Sequence, residues 1–280
     1  MTQESKLLIV AGVILLALLG AISVASPRPA MGVPAAEANA DSGSPSQGMA
    51  SERGGPLVVE LFTSQGCSSC PPADRLLSRL AEEVEGGEII PLAFHVDYWN
   101  YIGWQDPFSS KDWSRRQQNY AAALGATRIY TPQLVVAGGA DCVGSDADEV
   151  ERLIAAAKRR GQRGAVEVAL ESQGQPASWQ ARLAAKFDGE GPLDLMLAIV
   201  ENDLVTEVSR GENARRTLHN DFVVRRLEKV ATVVDGRAGW HSGPRSLELE
   251  AGWKPGKLRV VAFLQDPGDL SIHGAASEPL

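Results

Sequence analysis

The sequence predicts an α/β fold with two parts, a segment of alternating strands and helices at residues 56–162 and a β-rich segment at residues 163–280. An apolar, β-branched run at residues 57–62 is the first observation, because it leads through a turn into a helical pattern. The second observation is that strand and helix patterns keep alternating as far as residue 160. The third is a series of short runs with period-2 alternation from residue 166 onwards.

Apolar spacing and chain-breaking residues define the elements of the first segment. Leucine and valine side chains of residues 73–84 share one stripe of a predicted helix that ends before a Gly-Gly pair. Residues 89–96 predict a second strand, in which Pro91 limits the hydrogen bonding. The remaining predicted elements are a helix, two strands and a closing helix at residues 112–124, 134–137, near 142, and 148–160.

The second segment predicts an appended β-sandwich or a curled sheet. Its alternating runs are separated by Gly, Pro, Asn and Asp and occupy residues 166–170, 179–186, 193–200, 204–208, 222–227, 230–234, 247–249 and 258–264. No catalytic constellation is visible in it. Residues 210–218 are polar and dense in charge, which is typical either of a salt-bridged connection or of a partner-recognition loop.

Cys67 and Cys70 form a CxxC motif at the turn between the first strand and the first helix. Thiol exchange needs an attacking thiolate and a second thiol within bonding distance, and this spacing supplies both. A structural disulfide and half of a zinc site are the alternatives. Beyond the motif the chain has only Cys142 and four histidines as soft ligands, so the count disfavours zinc, and no metal or other cofactor is predicted. The motif favours redox chemistry.

The amino-terminal segment predicts export. Residues 7–24 are almost wholly apolar, follow Lys6 and end at a small-x-small pattern at residues 23–25. Their length fits a signal peptide and also a short membrane-spanning helix, so residues 1–25 are predicted as a signal peptide or as an uncleaved inner-membrane anchor. Both alternatives give a periplasmic or other extracytoplasmic location. Residues 26–55 are rich in Ala, Ser, Gly and Pro and are predicted as a flexible linker.

The charge balance excludes one class of partner. The formal net charge is −8 at pH 7, whereas nucleic acids and anionic membrane surfaces bind to basic proteins. No nucleic-acid partner is therefore predicted.

Aromatic side chains are concentrated in residues 94–113, at a density that a solvated loop does not have. Two interpretations are open, a satellite core under a long connection and a substrate groove beside the dithiol. Tyr98, Trp99 and Trp104 are the candidate groove residues. Within this set we expect Trp99 to belong to the core and Trp104 to the groove.

His95 and Cys142 each have two interpretations. His95 ends an apolar strand and is either a satisfied core histidine or a group that stabilises the thiolate, with Asp97 to orient it. Cys142 is either a small buried apolar residue or a third redox thiol or soft-metal ligand, as in a copper site of two thiols and one histidine.

Three motifs carry a family resemblance: ELFTSQGCSSCPPAD at residues 60–74, HVDYWNYIGW at 95–104 and YTPQ at 130–133. They resemble the domain of unknown function 1223 family of exported, thioredoxin-like bacterial proteins, over about residues 56–275. The order of elements, with Thr131-Pro132 before the third strand, also resembles the thioredoxin fold. The resemblance implies fold and location more directly than a reaction, because the family has no established activity.

The resemblance implies a role for each matching residue. Cys67 is the expected nucleophile and Cys70 the resolving thiol, and the two form a disulfide in the oxidised state. Pro132 is the expected cis-proline, which keeps a backbone donor away from the sulfurs and, with Thr131, presents an extended edge to substrate. Glu60 occupies a strand position where a buried carboxylate relays a proton to Cys70, the alternative being an edge-strand carboxylate in solvent.

One departure from thioredoxins affects the nucleophile. Pro71 and Pro72 follow the motif directly, so we expect the regular helix to begin at about Pro72. If the helix begins later, its free amides and its dipole lower the pKa of the Cys67 thiol less than in a thioredoxin.

The sequence thus predicts an exported thiol–disulfide oxidoreductase that acts on cysteines of envelope proteins or of a redox partner protein. A binding module on the same scaffold, or a copper chaperone, with the CxxC as ligand or permanent disulfide, is the alternative.

Overall fold

The computed structural model describes residues 55–82, 88–174 and 178–280, and all of them belong to one compact unit. The predicted signal or anchor segment and almost all of the predicted linker lie outside these ranges. Within the ranges, no helix has the length and apolar character needed to cross a bilayer.

The first half of the described chain alternates strands and helices in the predicted order. Its elements are β1 Leu57–Thr63, α1 Pro71–Glu82, β2 Ile89–His95, α2 Lys111–Ala123, β3 Gln133–Val136, β4 Ala140–Val143 and α3 Ala147–Arg160. A short 3-10 helix, Asn100–Ile102, lies between β2 and α2.

The second half contains strands. They are β5 Gly164–Ser172, β6 Ser178–Phe187, β7 Leu193–Glu201, β8 Leu204–Glu207, β9 Thr217–Asn220, β10 Val223–Val233, β11 Trp240–His241, β12 Arg245–Glu248, β13 Leu258–Gln265 and β14 Ile272–Pro279. The runs predicted as two strands at 222–227 and 230–234 form the single strand β10. The prediction of two strands is wrong because register shifts in β10 interrupt the alternation without ending the pairing with β7.

Eight strands form one mixed sheet in the order β14-β13-β7-β10-β2-β1-β3-β4. Strands from both predicted segments hydrogen-bond within it, and β10 joins β2 where the Ala93 amide donates to the Phe222 carbonyl at 2.8 Å. The domain boundary at residues 162 and 163 stays a prediction. Next to this sheet, β6 pairs with β5 along one side and with β11 and β12 along the other.

Layers cover both faces of the large sheet. α1 and α3 pack on one face, against Val59 and Leu61 of β1. α2 packs on the other face through Trp113 and Tyr120, beside Phe62 of β1. Further along the sheet, β5 and β6 pack on β7 and β13. Because successive residues of β1 point to opposite layers, the whole strand is buried, as its apolar composition requires.

One edge of the sheet gathers the loops that build the candidate site. The carboxyl ends of β1 and β2 meet the amino end of β3 there, because β1 runs parallel to β2 and antiparallel to β3. The β8–β9 hairpin reaches the same place, since Gln65 Nε2 donates to Thr206 Oγ1 in β8 and to Asn220 Oδ1 in β9, both at 3.0 Å. We call the connection between these two strands, residues 208–216, the tip loop.

Candidate functional site

Cys67 and Cys70 form a disulfide, with their α-carbons 5.4 Å apart. The turn that carries them is closed by the Cys70 amide, which donates to the Cys67 carbonyl at 3.2 Å. Ser68 and Ser69 are exposed, whereas the two cysteines are 1% and 0% exposed. The disulfide therefore lies just beneath the surface.

α1 begins at Pro71, one residue earlier than expected. The Cys70 carbonyl accepts from the amides of Ala73 and Asp74 at 2.8 and 3.0 Å, so both prolines occupy first-turn positions where an amide would have no partner within the helix. Pro71 and Pro72 bring no N–H to this end of the helix. The expected weak acidification of Cys67 stays a prediction.

The Thr131–Pro132 peptide is cis, as expected for the predicted loop. Trp99 connects this loop to the dithiol, because its indole Nε1 donates to Thr131 Oγ1 at 2.8 Å and its Cβ packs on Gly66. A Cβ added at Gly66 would lie 3.0 Å from Trp99 Cβ, so only glycine permits this approach without a shift. Trp99 thus links the loop of Thr131 and Pro132 to Gly66, the residue directly before Cys67.

The other candidate groove residues are partly buried and hydrogen-bonded. Trp104 Nε1 donates to Gln65 Oε1 at 3.2 Å, and Tyr98 OH donates to Gln117 Oε1 at 3.0 Å. Tyr101, by contrast, is 82% exposed. Trp104 therefore contacts the segment that precedes Cys67, and its predicted role in a groove stays a prediction.

His95 pairs with Asp106 and not with Asp97. His95 Nδ1 lies 2.7 Å from Asp106 Oδ2, and both side chains are completely buried. Asp106 Oδ2 also accepts from the Gln65 amide at 2.8 Å, whereas Asp97 accepts from Ser114 Oγ at 2.5 Å. The prediction that Asp97 orients His95 is wrong because β2 ends at His95, so the strand alternation does not carry Asp97 to the same side.

The buried pair changes both pKa values. Burial by itself would lower the pKa of His95, but the Asp106 carboxylate outweighs it and raises the pKa above its ordinary value. Burial likewise opposes ionisation of Asp106, yet the charge of His95 holds the pKa of this carboxyl below its usual range. His95 Nε2 is buried and has no hydrogen-bond partner among the described residues.

Asp74 is a titratable group near the dithiol that the sequence analysis missed. It lies four residues after Cys70 in α1, and its Oδ1 accepts from Thr63 Oγ1 at 2.7 Å. Burial raises the pKa of Asp74 to about 6, partly offset by the charge of His95. The spacing of one helical turn from Cys70 was the available signal.

Glu60 is 0% exposed and lies on β1, in the interior of the sheet, so the alternative of an edge-strand carboxylate in solvent is wrong. Its Oε1 accepts from Arg116 Nε at 2.8 Å and its Oε2 accepts from Tyr120 OH. Both partners belong to α2, on the face of the sheet opposite to α1. The ion pair explains how the charge is buried, and the proton-relay role of Glu60 stays a prediction.

The tip loop covers the CxxC turn. Asn213 is completely buried, and its Nδ2 donates to the carbonyls of Gln65 and Cys67, both at 2.9 Å. Glu212 Oε2 accepts from the Ser68 amide, also at 2.9 Å. Of the two interpretations of residues 210–218, the salt-bridged connection is wrong, because none of these residues takes part in an ion pair with another described residue.

Cys142 is free and buried, and it packs in the core with Leu61 and Ala73. Burial raises the pKa of its thiol to about 12, so the neutral form is the stable one. No three His, Cys, Asp or Glu side chains in the described ranges are grouped so that they could hold a metal ion.

Fold and site together define a mixed α/β protein with one large sheet, few helices and a buried CxxC disulfide at the sheet edge. The sequence matches the family model for a protein of unknown function, DUF1223, over residues 58–265, and the chain belongs to this family, as the motifs predicted. It is similar to a protein from Agrobacterium tumefaciens whose crystal structure was determined as a structural genomics target. The identity is 31%, the TM-score is 0.60, and the match covers 79% of this chain and 92% of the other. A comparison with curated proteins finds no significant match.

Proposed function

We propose that this protein is an exported thiol–disulfide oxidoreductase that acts on cysteines of envelope proteins or of a redox partner protein. The Cys67–Cys70 disulfide at the turn between β1 and α1 is the observation that carries the proposal. Two cysteines at this spacing give one sulfur to attack and one to resolve. The Pro132 loop and the neighbouring aromatic side chains offer a surface on which a client chain is held.

The order β2-β1-β3-β4 supports a thioredoxin-like assignment for residues 56–162. β1 is parallel to β2 and antiparallel to β3, which is antiparallel to β4. The CxxC follows the first strand and Pro132 precedes the third, as the family resemblance implies. The strands β10, β7, β13 and β14 extend this sheet beyond β2. The packing of β5 and β6 on β7 and β13 supports the sandwich-like part of the assignment.

The exchange needs the two cysteines and two client thiols. In the oxidising direction a client thiolate attacks Cys67 Sγ, the bond between Cys67 and Cys70 breaks, and Cys70 leaves as a thiolate. A second client thiolate then attacks the client sulfur of the mixed disulfide, which forms the client disulfide and releases the Cys67 thiolate. The reverse sequence reduces a client. Since Cys67 is 1% exposed, we expect the tip loop to shift when a client binds.

Asp74 is the group that we assign to proton transfer at Cys70. It lies one helical turn from Cys70, and its pKa of about 6 allows it to exchange a proton near neutral pH. Thr63 holds the carboxyl in place by a hydrogen bond. Glu60, the relay predicted from the sequence, is the alternative, but its carboxylate is already paired with Arg116.

Substitution of the two cysteines tests the division of labour. Cys67→Ser should abolish exchange in an insulin-reduction or scrambled-ribonuclease assay, because the attacking sulfur is lost. Cys70→Ser should instead trap mixed disulfides with client proteins, and Cys142→Ser serves as the matched control. Full activity of Cys67→Ser would contradict the assignment of Cys67 as the nucleophile.

The burial of both sulfurs favours a second candidate, a binding module in which the disulfide is a permanent structural bond. In the copper-chaperone alternative the CxxC is instead a metal ligand, so the reduced protein would bind Cu(I) stoichiometrically and lose it on Cys142→Ser or His95→Ala. We expect no such dependence, because Cys142 is packed in the core and His95 is paired with Asp106. Metal titration of the reduced variants tests the copper-chaperone alternative.

A further inference from the structure

We propose that the tip loop is a recognition element that selects client cysteines flanked by acidic residues. The inference rests on the proposed function and names the substrate class of the same site. It adopts the second interpretation of residues 210–218, a partner-recognition loop, and specifies the charge of that partner.

The position of the tip loop is fixed by hydrogen bonds to the CxxC turn. Asn213 holds the carbonyls of Gln65 and Cys67, and Arg216 Nη1 donates to Asn213 Oδ1 at 3.0 Å. The guanidinium of Arg216 is therefore one side chain away from the backbone of the predicted nucleophile. The loop closes on itself because the Val208 amide donates to the Arg216 carbonyl at 2.9 Å.

The tip loop also contacts residues 94–113, which we call the aromatic segment. A Cβ added at Gly211 would lie 3.2 Å from Ile102 Cδ1 and 3.3 Å from Trp104 Cβ, so the backbone of the loop rests on these side chains. Gly211 has φ of 77°, which favours glycine at this position. A client that approaches Cys67 between the aromatic segment and the hairpin therefore meets the tip loop.

The charge of the tip loop is the second line of evidence. Arg210, Arg215 and Arg216 are exposed, and none forms an ion pair with any residue in the described ranges. The loop's acid, Glu212, is bound to the Ser68 amide, and its hydrogen bonds with Ser68 hold the pKa of Glu212 below its usual value. Three unpaired arginines against one carboxylate make this a basic site in a chain whose net charge is −8.

Unpaired cations beside a reaction centre favour anionic partners by steering the encounter and by rim contacts. Each exposed charge pair changes an equilibrium or rate by about 1.5- to 5-fold. A client with two acidic residues near its cysteine should thus react about tenfold faster than its lysine counterpart at low salt. Because the Debye length is about 3 Å at 1 M salt, the preference should nearly vanish there.

The test uses the full chain and three disulfide-linked peptides that differ only in having Glu, Gln or Lys beside the cysteine. Hydroxyethyl disulfide is the neutral small substrate. The variant is Arg210→Gln with Arg215→Gln, since the hydrogen bonds from the tip loop to the CxxC turn come from Glu212 and Asn213. Arg237→Gln is the matched control, because Arg237 is exposed in the β10–β11 connection and forms no ion pair with a described residue.

We expect kcat/KM of the wild-type chain to follow the order Glu, Gln, Lys. The double variant should lose about 3- to 10-fold toward the Glu peptide and less than about twofold toward hydroxyethyl disulfide. Equal rates for the Glu and Lys peptides, or an equal loss in Arg237→Gln, would overturn the proposal.

Binding of the same peptides with serine in place of cysteine separates this proposal from the proposed function. If no substrate is exchanged but the Glu peptide still binds more tightly than the Lys peptide, the oxidoreductase assignment fails and the recognition surface stands. If exchange occurs without any charge preference in rate or binding, the recognition proposal fails and the oxidoreductase assignment stands. If neither exchange nor a charge preference is observed, both the oxidoreductase assignment and the recognition proposal are overturned.

Discussion

Asp74 is partly buried in α1, and desolvation of its carboxyl makes the free energy of unfolding depend on pH. Burial raises its pKa from 3.8 to about 6. Between these two values the folded protein keeps a proton that the unfolded chain has lost, so the free energy of unfolding falls as the pH rises through this window. A shift of this size corresponds to about 2–3 kcal/mol.

Asp74→Asn should remove this pH-dependent loss of stability, because the Asn amide oxygen still accepts the hydrogen bond from Thr63 and the side chain does not ionise. We expect the variant to become more stable than the wild type as the pH rises from 4 to 7, by about 2–3 kcal/mol at the upper end. Urea unfolding at a series of pH values measures this difference in stability. Asp188→Asn, which replaces an exposed carboxyl, is the control. If the free energies of unfolding of wild type and Asp74→Asn changed in parallel with pH, the raised pKa of Asp74 would be contradicted.

The cysteines, Pro132 and Trp99 could be found from the sequence because each belongs to a short motif whose spacing sets its position. Asp106 and Asn213 could not be found in this way. Asp106 reaches His95 only after the chain has passed through a loop, and Asn213 lies 146 positions from the Cys67 carbonyl that it binds. Such pairings form only through tertiary packing, and the periodicity of the sequence does not reveal them.

At the scale of elements, the segment between β2 and α2 has two tryptophans with different partners. Trp99 packs on Gly66 and binds Thr131, so it links two loops, whereas Trp104 lies between Gln65 and the tip loop. Both rings are partly buried. Trp99 also packs against the core cluster that contains Phe62, and the core role of Trp99 and the groove role of Trp104 stay predictions.

Trp99→Ala should cost about 3–5 kcal/mol of stability and lower the turnover of all substrates through unfolding. Trp104→Ala should impair turnover of an unfolded, cysteine-bearing protein while leaving exchange with a small disulfide nearly unchanged, because the small substrate needs only the thiol. Denaturation midpoints measured beside both activities distinguish the two roles. A large loss of stability in Trp104→Ala would show that this ring is core.

Element order in the first half was predictable because α1, α2 and α3 are amphipathic and the strands between them are apolar runs. The prediction was less successful in the second half. β10 was divided in two by its register shifts, and β9, β11 and β14 were not predicted. β9 and β11 are too short to show alternation, and β14 has small side chains and little apolar pattern.

At the scale of the whole molecule, the large sheet continues across the predicted domain boundary. β2 pairs with β10, and the α2 face of the first half is completed by side chains of the second half, among them Val200 and Phe263. The tip loop, which covers the CxxC turn, also comes from the second half. The candidate site therefore depends on both parts of the chain.

A protein truncated after residue 162 should consequently fail to fold as a stable monomer, because it would expose the edge of β2 and the apolar side chains that pack on β7 and β13. Size-exclusion chromatography and urea unfolding of residues 56–162, compared with residues 56–280, measure this. A cooperative unfolding transition of the truncated monomer would instead support two separate domains.

The reduction potential of the Cys67–Cys70 couple decides whether this disulfide exchanges with client thiols or is permanent. Exchange-active dithiols have potentials between about −270 and −120 mV, and structural disulfides lie below about −300 mV. We expect the full chain, equilibrated with glutathione or dithiothreitol buffers, to give a value in the first range. A value below about −300 mV would contradict the oxidoreductase assignment and identify the bond as a permanent structural disulfide.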